Sequence, residues 1–263
     1  MLNKMDFHLK IGLKLHSTNI ELIPDALTLK KEGFFEYVEL YIIPGSYKKT
    51  INHWEGLHVP FVIHAPHSYH GINLAQSGKW ETNLKNFNEA RLFADDLYSS
   101  IIILHSGNNG FIDETIRQIK LLNESRIILE NKPKIGLNDE MCIGWSPFEF
   151  HRFADAGVLY DGMALDFGHA VYAARSLGVD AVEIVNEFMT FNPKIFHLSD
   201  GNSFSEKDVH LNFGAGDFRI KEFLSVIPDN GLLTIETPCI QSRYLNNFID
   251  NVSFLRNISC QKT

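Results

Sequence analysis

Residues Phe196–Gly216 read FHLSDGNSFSEKDVHLNFGAG. The apolar run Lys194-Ile195-Phe196 leads into them like a strand and ends on His197. Asp200 follows three residues on, a polar loop then carries Asp208 and His210, and the stretch closes on Gly214-x-Gly216. Two histidines and two aspartates just past a strand are the donors that zinc and manganese take. The competing reading is a solvated polar loop, and the rest of the chain decides between them.

The same ending recurs. VPFVIH (59–64) stops on His64, SIIILH (100–105) on His105, RIILE (126–130) on Glu130, GMALD (162–166) on Asp166 and LLTIE (232–236) on Glu236. With His197, six successive apolar runs each finish in a metal-capable side chain. One strand-end histidine or glutamate is ordinarily a hydrogen-bonded structural residue. Gathering six is unfavourable unless cations offset the carboxylates. His169, in DFGHA, and the pair Asp208 and His210 are placed to join them. His67 and His70, in HAPHSYHG, follow His64; His67 is a candidate for substrate binding, against the plainer reading of both as surface loop residues. Asp200 either touches substrate, orients a ligand by a hydrogen bond, or turns the chain. Glu39, in EYVELYII (36–43), is a candidate to point into the same mouth, while His8, His16, His53, His58 and His151 read as structural or surface.

Between these runs lie helical patterns. Apolar residues recur at helical spacing over Ile20–Lys31, Trp80–Leu97 and Asp113–Leu122, and further helices fit Pro147–Ala156, His169–Ser176, Ala181–Phe188, Asp217–Val226 and Ser242–Leu255. With a first strand over His8–Leu15, the chain reads as eight strand-then-helix units. Nearly continuous apolar strands suit a parallel sheet covered on its outer face. Eight such units in 263 residues fit an α/β fold, a single (β/α)8 TIM barrel forming one domain over residues 1–263. In that fold the strand ends share one rim, the face where active sites sit. A doubly wound open sheet is the alternative, but no GxGxxG follows the first strand.

The composition is that of an ordinary globular chain, 44% hydrophobic and 21% charged. A formal charge of −8 gives no global attraction to nucleic acid or anionic membrane. No apolar run is long enough to span a bilayer. Cys142, Cys239 and Cys260 are scattered, with no CxxC, and read as reduced thiols. With an N-terminus lacking the signal-peptide pattern, they make a cytoplasmic location the expectation. No GxSxG elbow and no Walker loop is present.

The ordered pieces VIHAP, ILHSG, IILENKP, LDFGHA, FHLSDG, DVHLNFGAG and TIETP resemble the xylose isomerase-like TIM barrels, which include the endonuclease IV family and many sugar isomerases and epimerases. The resemblance runs from about the third strand to the eighth and is closest in ligand pattern to endonuclease IV. It implies nine ligands for three zinc ions: His64 and His105 on one metal, with Glu130 bridging to a second; Asp166, His197 and Glu236 completing the second; His169, Asp208 and His210 on a third. The HAP step selects His64, with His67 the alternative. The first-strand signature departs from the endonuclease pattern, and YVELYI on the second strand looks like the isomerase members.

Two enzymatic functions follow from the resemblance. One is a metal-dependent phosphoester hydrolase acting on abasic or damaged DNA, with Glu130 and Glu236 as catalytic residues. The other is a metal-dependent isomerase or epimerase of a small sugar or sugar phosphate, in which the same two glutamates pass a proton between neighbouring carbons. Either takes divalent metal ions, zinc first with manganese or magnesium as alternatives, one to three per chain. A metal-binding barrel without activity is the third reading.

Overall fold

The computed structural model of the chain describes residues 9–205, 207–238 and 244–259. The expectations for His8, Cys239 and Cys260, and for the start of the closing helix at Ser242, lie outside the described residues.

Eight parallel strands close into a barrel in chain order: β1 (Lys10–His16), β2 (Tyr37–Tyr41), β3 (Phe61–His64), β4 (Ile102–His105), β5 (Ile127–Glu130), β6 (Met163–Asp166), β7 (Pro193–Leu198) and β8 (Leu232–Ile235). The last strand pairs with the first, Leu13 opposite Ile235. The helices are α1 (Ile23–Lys31), α2 (Tyr47–Glu55), α3 (Trp80–Asp96), α4 (Ile112–Leu122), α5 (Pro147–Asp155), α6 (Phe167–Leu177), α7 (Ala181–Met189), α8 (Ile220–Val226) and α9 (Tyr244–Ser259). The fold is therefore the (β/α)8 barrel that the strand-end pattern implies.

The strands are buried on both faces, which is why they read as unbroken apolar runs. Side chains alternate between faces with a period of two. One set, including Val38, Leu40, Ile63, Leu104, Leu129, Leu165 and Phe196, packs outward against helix residues such as Phe93, Phe150, Phe188 and Phe223. The other set, Tyr37, Val62, Ile103, Ile128, Ala164 and Ile195, forms a small apolar layer inside the barrel. Two residues beyond each of these, on the same face, stand Glu39, His64, His105, Glu130, Asp166 and His197. The strand period thus delivers all six to the C-terminal mouth.

Gly12 is required where the barrel seam closes. A Cβ there would lie 2.3 Å from the Tyr37 ring, so only glycine lets that ring cross the floor. The Tyr37 hydroxyl then meets Thr234 Oγ1 at 2.8 Å, directly beneath the polar mouth. Helix α8 begins three residues later than the apolar spacing suggests. Asp217 is occupied in accepting from Ser203 N and Oγ, and Phe218 N donates to Asp200. No helix among the described residues is long and apolar enough to cross a membrane.

Candidate metal centre

Glu130 stands at the middle of the mouth, 1% exposed at the end of β5. Its Oε2 lies 3.1 Å from His64 Nε2 and 3.0 Å from His105 Nε2, and its Oε1 lies 3.1 Å from His169 Nδ1. Burial alone would raise this carboxyl. The pull of His105 and Lys132, with hydrogen bonds from His105 and His169, instead holds it well below the usual carboxylate range.

Around it, four groups of donor atoms each lie within 4.8 Å of one another: His64, His105 and Glu130; Glu130, Asp166 and His197; Glu39, His197 and Glu236; and His169, Asp208 and His210. All nine strand-end and loop residues singled out from the sequence fall in these groups. Glu39 joins them. His67 does not: it lines the cavity, its ring stacked on His105 at 5.4 Å, and its Nδ1 accepts from Tyr69 N at 3.2 Å. Burial and nearby cations push its pKa far below the ordinary value, so it stands there as a neutral ring. Of the two histidines in HAPH, His64 is the one that reaches Glu130.

Asp200 is placed elsewhere. Its two oxygens accept from the backbone amides of Gly201, Gly214, Gly216 and Phe218 at 2.9–3.1 Å, and it is only 2% exposed. It folds the loop after β7 rather than facing the cavity. Gly216 completes that turn, since a Cβ there would meet Gly201 O at 2.1 Å. The same loop is held by Tyr172, whose hydroxyl accepts from Val209 N at 3.0 Å and so fixes the residue between Asp208 and His210.

The donor chemistry fits a divalent cation on three counts. First, the rings are oriented. The Nδ1 atoms of His64, His169 and His210 are bonded to the carbonyls of Ala65, Asn131 and Glu236, which leaves each Nε2 directed at a carboxylate. A backbone carbonyl holding one ring nitrogen is the common support of a metal-binding histidine. Second, His197 Nδ1 and Asp208 Oδ1 are buried without a hydrogen-bond partner among the described residues. His197 Nδ1 does approach Glu236 Oε1 to 2.8 Å, but not in hydrogen-bonding geometry. Unsatisfied buried donor atoms are rare and call for an explanation. Third, imidazole and carboxylate together suit zinc or manganese.

Without a cation, the site balances itself with protons. Burial disfavours charge on His169, but Asp166 and Asp208 lift its pKa to about 10. Asp208 and its hydrogen bond lift His210 to about 9 against the same penalty. His197 is raised well above its ordinary value by Glu236, Glu39 and Glu130, again against burial. Burial raises the Asp166 carboxyl, with His169 opposing.

Two lysines also enter the mouth, and neither stands out in the sequence. Lys14, inward on β1, contacts Glu236 Oε1 and lies 3.0 Å from Glu39 Oε1. Lys132, two residues past Glu130, lies 3.8 Å from Glu130 Oε1 and 3.5 Å from His169 Nε2. The available signal was phase: Lys14 lies two residues from Gly12, and Lys132 two from Glu130. The cavity above these groups measures about 730 Å3.

No family model and no curated protein matches the chain. Solved structures do. A D-tagatose 3-epimerase-like protein aligns at a TM-score of 0.72 and 20% identity, over 94% of this chain and 96% of the other. Endonuclease IV from Thermus thermophilus aligns at 0.68 and 18%, over 94% and 99%. The chain shares its closed (β/α)8 barrel fold with these structures. A putative xylose isomerase from Rhodospirillum rubrum aligns at 0.71 and 12%, over 97% and 100%. At these identities the likeness is one of fold.

Proposed function

We propose that this protein is a metal-dependent phosphoester hydrolase with a multinuclear divalent centre. The carrying observation is the group His169, Asp208 and His210, a complete donor set separate from those built on Glu130. A reaction that needs one metal has no use for it. Glu130, shared by two groups, would serve as a ligand in both; His64, His105, Asp166 and His197 complete those groups, and Glu236 joins His197 in a further one with Glu39.

Divalent cations there would supply Lewis acidity, activating a water for attack and offsetting charge on phosphoryl oxygens. Water oxygen bonds to phosphorus, the bond from phosphorus to the ester oxygen breaks, and the departing oxygen takes a proton to leave as an alcohol. The chain's own residues bind and orient. His197 donates its Nε2 proton to Glu39 Oε2 at 2.8 Å, and Glu39 Oε2 also accepts from Thr234 Oγ1 at 2.7 Å. Glu39 therefore acts through His197, holding the tautomer that turns Nδ1 to the centre. Glu39→Gln should weaken metal binding roughly 10- to 100-fold, read by competition with a chelating dye. Unchanged affinity would remove Glu39 from this role.

The second reading, a sugar or sugar-phosphate isomerase or epimerase, draws on one geometric fact. Glu130 Oε2 and Glu236 Oε1 both lie near His197 Nδ1, at 3.5 and 2.8 Å, a pair of carboxylates that could serve as base and acid beside a single metal. Metal analysis of the purified chain separates the two. Three ions per chain with release of alcohol from a phosphoester supports hydrolysis. One ion per chain, with solvent deuterium entering an aldose or ketose, replaces it with the second reading.

A further inference from the structure

We propose that the cavity takes a small phosphomonoester, with Lys132 holding its dianionic phosphate, rather than an internal phosphodiester of a nucleic acid. This rests on the metal-loaded reading above, and it comes from the charge and the walls of the cavity.

Five carboxylates belong to the donor groups: Glu39, Glu130, Asp166, Asp208 and Glu236. Lys14 is committed, lying against both Glu39 and Glu236. Lys132 is held more loosely. Its ammonium lies 3.8 Å from Glu130 Oε1 and 3.5 Å from His169 Nε2, an atom that a metal would take, and the residue lines the cavity. Five negative charges, two from lysine and six from three divalent ions leave about three positive charges. A phosphomonoester dianion with a hydroxide cancels them. An internal phosphodiester, with one charge, leaves the site one positive charge in excess. This more loosely held cation lies on the wall beside His169.

The walls agree in scale. The segment between β5 and α5 folds back on itself through the Ile135–Met141 bridge and lines the cavity with Pro133, Gly136, Leu137 and Asn138. It is tied on both sides. Asn109 N donates to Met141 O at 2.8 Å, and Lys207 Nζ reaches Leu137 O at 3.2 Å and Asp139 Oδ1 at 2.9 Å. Three loops are thus tied to one another beside a space of about 730 Å3, the size of a small-molecule pocket. Lys207, the cation that a polymer's phosphates would meet on this rim, is paired with Asp139. Duplex binding needs several phosphate contacts, and among the described residues lining the cavity the Lys and Arg side chains are Lys14 and Lys132 alone.

The test uses the metal-replete chain with Lys132→Ala and Lys132→Arg. Inorganic phosphate binding is read by calorimetry, beside metal content and hydrolysis of p-nitrophenyl phosphate, bis-p-nitrophenyl phosphate and an abasic-site duplex. Lys132→Ala should lose roughly 10- to 100-fold in phosphate affinity with metal content unchanged, and Lys132→Arg should recover part of it. The monoester should be hydrolysed in preference to either diester. Phosphate affinity equal in wild type and Lys132→Ala overturns the proposal. Cleavage of the abasic duplex ahead of the monoester also overturns it, while leaving the hydrolase reading intact. If phosphate binds in a Lys132-dependent way but no ester is cleaved, the substrate class stands and the hydrolase reading falls.

Discussion

Glu130→Gln is expected to cost on the order of 10³- to 10⁴-fold in phosphoester turnover and to lower the bound metal to about one ion per chain. The residue is the only member common to the His64–His105 and Asp166–His197 groups. An amide keeps the shape but loses the charge and one acceptor, so both groups are deprived at once. His169, Asp208 and His210 do not depend on Glu130 for a donor and should retain their ion. Elemental analysis beside steady-state kinetics reads both effects, with circular dichroism to verify folding. A variant that keeps its full metal complement and its turnover would dismantle the bridged arrangement.

Stripping the metals should lower the melting temperature by roughly 10 °C, the shift expected when a ligand present far above its Kd is removed. The metal-free chain should also acquire a pH dependence that the loaded chain lacks. The pKa values of His169 and His210 are raised in the folded state, to about 10 and about 9, from an ordinary value of 6.5. Raised folded values mean that the charged rings stabilise the fold. That contribution is complete below about pH 6.5 and is lost as the pH climbs through 9 to 10. Metal ligation needs the unprotonated nitrogens, so loading at about pH 7 must expel protons, and affinity must rise with pH. Calorimetry in two buffers of different ionisation enthalpy counts the protons. A flat melting temperature for the metal-free chain from about pH 6.5 to 10, with no proton release on loading, would contradict this electrostatic picture.

Much of the mouth was legible because strands have a fixed period. Once RIILE is a strand with Ile128 inside, Glu130 must be inside too, and the same holds for His105, Asp166 and His197. The strand limits differ by a residue or two: VPFVIH is too wide, since Pro60 has no N–H to donate and β3 starts at Phe61, whereas β7, Pro193–Leu198, outruns the stretch Lys194–His197. Less legible were contacts made only on closure. Lys14 and Glu236 are 222 residues apart, and the phase of IGLKLH can turn Lys14 inward without naming its partner. Asp200 reads from its type and position as a substrate-binding or ligand-orienting residue, with turning the chain as the alternative, and the last is what it does. Its partners are backbone amides in a turn, which have no signature in side-chain chemistry. The choice between His64 and His67 rests in the sequence on the HAP step, and it is His64 whose Nε2 reaches Glu130.

The β1–β8 seam also bears on how the centre is made. Its constituents come from both extremities of the barrel, Lys14 from the opening strand and Glu236 from just past the final one. During synthesis, a nascent chain that has emerged only through β7 carries most of the imidazoles but lacks the carboxylate and the neighbouring strand that seal the ring. Of the four donor groups, the one made by Glu39, His197 and Glu236 is therefore complete only when the last strand has been delivered, whereas the other three are encoded ahead of it.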